Sequence, residues 1–473
     1  MKFGKIIAVV IGALWLVTMA MLVQRHYGSF EAPAGDSAPP SWMLEESWAG
    51  IYQGTNKVGY ASGKMTPTED GYMAVEDSFM KLTVMGSEKD ITMTSEAQLD
   101  KALRLRSFTF KLESDVNVEI DGKVQGRDVV MTLDMGGVKT DKTIHMTEAP
   151  YMSPTLTPLL KNLAPGKKIR VPMVDPSTLA GDEMTIEVLG KDKITVMGLA
   201  RETYKLRGMF KGAEFTMWAT DEGEVIKQES MGITFIKESE EEAKKLGTSS
   251  ADLIADIAVP VDAEISEGAT HLKVRLLGID TEGLELDGGV QKLTDGNVVE
   301  INVPKTLEGV VKSEGLDQYL GNDFLLETDD PAIKSRAAEI VSNESDTLKK
   351  ARLIERWVFS NVRKVPTMTL PSALEVLRSM RGDCNEHTSL YTALARAAGV
   401  PTRIAVGIVY QDGKFYYHAW PEIYLNDWVP IDPTLGQFPA DATHIRLLTG
   451  GLDKQLRLGS VIGKLKIEVV EAR

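Results

Sequence analysis

Met380-Arg381-Gly382-Asp383-Cys384-Asn385-Glu386-His387-Thr388 is the stretch from which the fold can be read. Gly382-Asp383 has the form of a turn followed by a helix start. Beyond it Leu390, Tyr391, Leu394, Ala397 and Ala398 recur at helical spacing. The pattern predicts a helix from Cys384 to Ala398 that stops at Gly399, with Pro401 barring any continuation. Cys384 is the only cysteine in 473 residues, and this reading puts it in the first helical turn. There the free backbone N–H groups and the helix dipole favour a thiolate, the reactive form of cysteine.

Working outward, Pro331 to Ser342, Asp346 to Val362 and Ser372 to Met380 read as helices. In the second of these Leu348, Ala351, Ile354, Trp357 and Val358 share one side. Strand patterns follow the cysteine helix at Arg403 to Tyr410, Tyr416 to Tyr424 and Trp428 to Ile431. Helices first and strands afterwards predict an α+β domain over 329–450. The strands carry His418, in Tyr417-His418-Ala419-Trp420, and Asp432 follows them in Pro430-Ile431-Asp432-Pro433-Thr434. A thiol, an imidazole and a carboxylate can supply nucleophile, base and orienting group.

Several of these stretches agree in order with one family. Gly382-Asp383-Cys384-Asn385-Glu386-His387-Thr388, the run from Ala393 to Arg403, His418-Ala419-Trp420-Pro421-Glu422, Trp428 and Asp432-Pro433-Thr434 together resemble the transglutaminase-like superfamily. The resemblance covers about Asp329 to Leu448 and implies a papain-like α+β fold. It also implies catalytic roles for Cys384 as nucleophile, His418 as base and then acid, and Asp432 as the group that holds the imidazole tautomer. The first half-reaction would form a thioester. Water as acceptor gives amide hydrolysis, and a lysine amine gives a cross-link.

Other residues compete for these roles. His387 lies at i, i+3 from Cys384, on the same helix face, and reads more naturally as a packing or hydrogen-bonding residue than as the base. Trp420 and Trp428 are candidates for walls of the site or for core packing. The Cys384 backbone N–H is a candidate oxyanion donor. Cys384, His387, His418 and Asp432 include zinc-ligand types, but the paired spacings of zinc sites are missing, as are nucleotide-binding loops. No cofactor and no metal are expected.

The rest of the chain predicts a multidomain, exported protein. Lys2 and Lys5 precede an uncharged apolar run from Ile6 to Val23, close to the roughly 20 residues that span a bilayer. Residues 1–26 read as a signal-anchor helix in preference to a cleaved signal peptide, which places the bulk of the chain outside the cytoplasm, in the cell envelope. Residues 27–41 form a linker rich in Ala, Gly, Ser and Pro. From 42 to 237, short alternating runs such as Ser107 to Leu112 and Phe215 to Ala219 predict an antiparallel barrel or sandwich, in one piece or two. It resembles the β-rich envelope domains found ahead of such modules in bacterial proteins. A linker helix (238–257), a small β-domain (258–328) and a C-terminal strand or tail (451–473) complete the division. The net charge of -15 argues against nucleic acid as a partner. A protein or peptide substrate and the membrane are the expected partners. The leading function is a membrane-tethered cysteine acyl-transfer enzyme, with peptidase or amidase action favoured over cross-linking. The alternative is a non-catalytic interaction protein that binds through its β-rich region.

Overall fold

The computed structural model describes residues 39–473 except 85, 153–158, 248–251, 262, 295, 308–314 and 368–369. The apolar run from Ile6 to Val23 lies outside the described residues. Among the described residues no helix is long and apolar enough to cross a membrane.

The β-rich segment forms a single 14-stranded antiparallel sheet. It runs from β1 (Ser47–Gln53) as a meander to β8 (Val138–His145), and from β9 (Lys168–Asp175) as a second meander to β14 (Ile233–Glu238). The two meanders join where β1 pairs with β14. The sheet curls so that its two ends approach. Tyr151, just past β8, donates its N–H to Pro172 and accepts from Val174 through its carbonyl. Gly181 lies against Ile144, where a Cβ would stand 2.6 Å from the Ile144 side chain. Alternation puts Ile120, Leu133, Val171, Ile186 and Leu206 inside, each at most 2% exposed. Burial of this kind is worth roughly 25 cal/mol per Å² of apolar area, and one shared core explains why both meanders belong to one body.

Half-buried Glu76 is out of place on that inner face. It shares the parity of Ala74 and Leu82 and sits in register with Gly63 and Ser95. The Ser95 hydroxyl is itself buried without a hydrogen bond. Burial pushes the Glu76 carboxyl up to about 7 from 4.5. The folded state therefore keeps this proton through a pH window in which the unfolded chain releases it, so stability falls as pH rises across that window. Glu76→Gln removes the penalty and is expected to raise Tm at pH 8 by about 2–4 °C. Equal melting of the two proteins at pH 8 would contradict this account of Glu76.

A charged helix, Glu240–Ala243, capped by the Ser239 side chain, leaves the sheet. Among the described residues, four helices of seven residues or more follow: Pro331–Val341, Thr347–Asn361, Ala373–Ser379 and Cys384–Ala397. They pack into one core with Ile333, Ile354, Val376 and Leu390 fully buried. Behind them stands a sheet of β15 (Val259–Pro260), β22 (Lys414–Tyr424), β21 (Thr402–Gln411) and β24 (Ile445–Thr449), with β23 (Trp428–Pro430) on β22.

The segment read as a small β-domain does not stand apart. Its strands β16 (His271–Leu277), β17 (Gln291–Thr294) and β18 (Val298–Asn302) take up β25 (Lys466–Ala472) from the C-terminal segment. Leu272, Val274 and Ile301 share a core with Ile408, Phe415, Ile445 and Leu447. Buried Arg446 ties the two sheets together. It pairs with Glu422 at 2.9 Å and donates to the carbonyls of Glu285, Asp287 and Gly288.

Candidate active site

The start of the Cys384 helix is built from local rules. Asp383 is the N-cap and accepts from the Asn385 N–H at 2.8 Å, while Glu386 reaches back to the Asp383 N–H at 2.8 Å. This reciprocal capping box satisfies N–H groups that a helix start leaves open. Position 382 has to be glycine, because a Cβ there would meet the Glu386 Cβ at 2.2 Å. Cys384 is thereby the first helical residue.

The second strand of the sheet, β22, brings His418 beside Cys384, where the imidazole pulls the thiol down and the sulfur raises the imidazole. The His418 Nε2–H donates to Asp432 Oδ2 at 2.7 Å, which leaves Nδ1 for the sulfur. Asp432, fully buried, sits in the turn after β23. Its other oxygen, Oδ1, accepts from the N–H groups of Thr434 and Leu435 at 2.7 and 2.9 Å. The structure thus brings Cys384, His418 and Asp432 together.

His444 is the residue that sequence reasoning missed. It is buried, and its Nε2–H donates to the same Asp432 Oδ2 at 3.0 Å, while Nδ1 lies 3.3 Å from Asp441 Oδ1. No motif surrounds it in Ala442-Thr443-His444-Ile445. Only the antiparallel placement of β24 brings it behind the turn that holds Asp432. Trp420, 1% exposed, stacks on His418 with ring centroids 6.1 Å apart and meets His444 edge-on at 5.2 Å. Trp428 packs elsewhere, against Tyr319, Tyr424 and Arg403. His387 is fully buried and donates through Nδ1 to the Asp383 carbonyl at 2.7 Å. Burial pulls its imidazolium down, so it is a neutral packing residue.

The electrostatics differ from the expectation of a depressed thiol. Burial, and then the Asp383 carboxylate, push the Cys384 thiol up; His418 and the backbone at Ala419 pull the other way and do not win. A helix start alone therefore does not activate this cysteine. Burial pulls His418 down most strongly, but Asp432 and Cys384 together outweigh it and bring His418 to about 9. His444 follows the same balance between Asp432 and Asp441 and also reaches about 9. Burial raises Asp432 and Asp441, yet the two imidazoles hold Asp432 far below the usual carboxylate range and His444 helps hold Asp441 at about 2.

His418, Asp432 and His444 place their ligand-type atoms within 4.8 Å of one another. Both Nε2 atoms are at hydrogen-bond distance from one carboxylate oxygen, which calls for N–H donors. Lone pairs converging on a metal ion would need a different arrangement.

Residues 334–433 match the transglutaminase-like superfamily. This segment is a transglutaminase-like domain. A curated relative, an uncharacterized protein from Haemophilus influenzae, is 26% identical over 186 residues, covering 33% of this chain and 48% of the relative. The chain thus spans about half the length of the curated relative it matches. Two crystal structures are also similar. A candidate cysteine protease from Cytophaga hutchinsonii is 17% identical, with 46% of this chain and 82% of that chain covered and a TM-score of 0.28. A beta-barrel-like protein of unknown function from Brucella abortus is 10% identical, with 41% and 94% covered and a TM-score of 0.31.

Within the transglutaminase-like domain and the strand beyond it, the charged network predicts a pH signature. The stabilisation from His444 is complete below its ordinary 6.5 and is lost as pH rises through about 9. His444→Gln keeps an N–H donor for Asp432 without the charge. The wild-type advantage in Tm over this variant is expected to be largest below pH 6.5 and to vanish above about 9. An advantage independent of pH would show that His444 acts by shape alone.

Proposed function

We propose that the transglutaminase-like domain is a cysteine acyl-transfer enzyme acting on amide bonds of proteins or peptides. The observation that carries this reading is the contact chain from the Cys384 thiol through His418 to buried Asp432. Cys384 Sγ attacks the amide carbonyl carbon, and the thiol proton passes to His418. The Cys384 backbone N–H, at the helix start, faces the developing oxyanion. His418 then gives its proton to the leaving nitrogen, the C–N bond breaks, and a thioester remains on Cys384. Water attacks this thioester as His418 takes its proton. The C–S bond breaks, the carboxylic acid leaves and the thiol is restored. Asp432 keeps the imidazole tautomer with Nε2 protonated, and His444 and the turn N–H groups position Asp432.

Hydrolysis is favoured over cross-linking, since no feature of the sequence excludes water or guides a lysine acceptor. The apolar run from Ile6 to Val23 supports a membrane tether with the catalytic domain in the envelope.

Incubation with activated acyl esters and mass analysis of the intact protein tests the reading. A mass increase equal to the acyl group, located on Cys384 and missing in Cys384→Ala, is the expected result. Wild-type protein that never acquires a thioester on Cys384 would leave the domain as a non-catalytic binding module.

A further inference from the structure

We propose that the cleft between the 14-stranded sheet and the Cys384 helix is the acyl-donor subsite, and that it takes a bulky apolar side chain on the acyl half of the substrate. The proposal rests on the acyl-transfer reading and adds the substrate feature that this reading leaves open.

The cleft is continuous with the surroundings of the thiol. Leu326, Ile404 and Ala419 belong to the small apolar cluster against which Cys384 packs, and these three residues line the cleft. Its floor continues along the cysteine helix at Asn385 and Thr388. The opposite wall comes from the sheet, with Lys142 on β8 and Thr178 and Leu179 after β9. Phe324 lies between the two, with the Lys142 ammonium 4.8 Å from its ring centre. About 60 Å³ of the cleft can be reached by the centre of a water-sized sphere, well below the roughly 300–1,000 Å³ of clefts that hold a whole small ligand, so the space suits one side chain and not an entire substrate.

The chemistry of the lining selects the occupant. Leu326 and Ile404, from the cluster that packs on Cys384, and Leu179 on the sheet side are almost fully buried and, with Phe324, give the cleft an apolar lining. Lys142 and Asp323 are both at the cleft, so it carries no field of one sign to select a charged group. An apolar side chain gains burial there, and a glycine does not.

The sheet wall is anchored to the domain it faces. Val138 of β8 is buried in the helical core with Leu374 and Leu390. Arg381 donates to the Asp115 carbonyl at 3.1 Å. Phe324 and Leu325 pack on the core of the sheet. The sheet is therefore a built part of the cleft, which gives it a role in substrate selection beyond that of a spacer.

The test compares acylation of Cys384 in the full chain, solubilised in detergent, by the p-nitrophenyl esters of N-acetylglycine and N-acetylleucine, with Cys384→Ala as the background. Release of nitrophenolate gives the rates, and intact mass locates the acyl group. The leucyl ester is expected to react at least about tenfold faster than the glycyl ester in wild type. Thr178→Trp, which fills the cleft from the sheet side, is expected to bring this ratio close to one. Phe324→Ala removes part of the wall and lowers the ratio as well, which keeps the test available should the tryptophan variant fail to fold. Acylation of Cys384 with a wild-type ratio near one, or with a ratio unchanged in both variants, would overturn the subsite and leave the acyl-transfer reading standing. No acylation by either ester would overturn the acyl-transfer reading, and the subsite with it.

Discussion

Replacing His418 by alanine is expected to slow acylation of Cys384 at pH 9, where about half of its imidazole is neutral and can take a proton, by about 10²–10⁴-fold, the usual range for loss of a positioned general base. The reason lies in the balance at the sulfur. Burial and Asp383 push the thiol up, while His418 is the side chain that opposes them. Without the imidazole, nothing at hydrogen-bond distance takes the proton and the thiol moves further up. The pH profile separates this from a folding effect. In wild type, reaction with iodoacetamide is expected to rise with pH towards about 9, where His418 titrates. In His418→Ala the rise moves to still higher pH, because burial and Asp383 hold the thiol up and no imidazole is left to take its proton. Identical profiles in the two proteins would contradict a thiol–imidazole pair.

Arg446→Met is expected to lower the unfolding free energy by about 3–5 kcal/mol, measured by denaturant titration, as is typical when one partner of a buried ion pair is removed. Arg446 and Glu422 are each 2% exposed and pair at 2.9 Å. Three backbone carbonyls from the 285–288 turn also depend on the guanidinium. The variant keeps the length of the side chain but leaves these acceptors without their donor inside the protein. Arg403, at 2.7 Å from Glu422, compensates only part of the charge. The exposed pair of Arg275 and Glu468, with about two-fifths of each side chain accessible, is the natural control. Arg275→Ala is expected to cost about 0–1 kcal/mol. A loss for Arg446→Met no larger than the control would show that the two sheets are held by apolar packing alone.

Taken by itself, the sequence determined what depends on neighbours along the chain. The capping pair Asp383 and Glu386 and the glycine before them define the start of the cysteine helix. Apolar periodicity placed the four helices around Cys384 and the three strands that follow them within a residue or two, because a helix face or a strand face is written in a window of about ten residues. Cys384, His418 and Asp432 were legible as a set because each lies in a recognisable stretch and their order matches one family.

Only the tertiary structure decided what depends on residues far apart. His444 carries no local signal and joins the site because β24 passes behind Asp432. The C-terminal strand β25 pairs with β16, some two hundred residues earlier, by backbone hydrogen bonds that any alternating sequence could make. The cleft beside Cys384 needs Lys142 and Leu179 from a sheet whose pattern says nothing about which face meets the helices. The ionisation of the thiol was also decided there. Helix position favours a thiolate, but the depth of burial and the charges packed around the sulfur set the outcome, and both are properties of the folded chain.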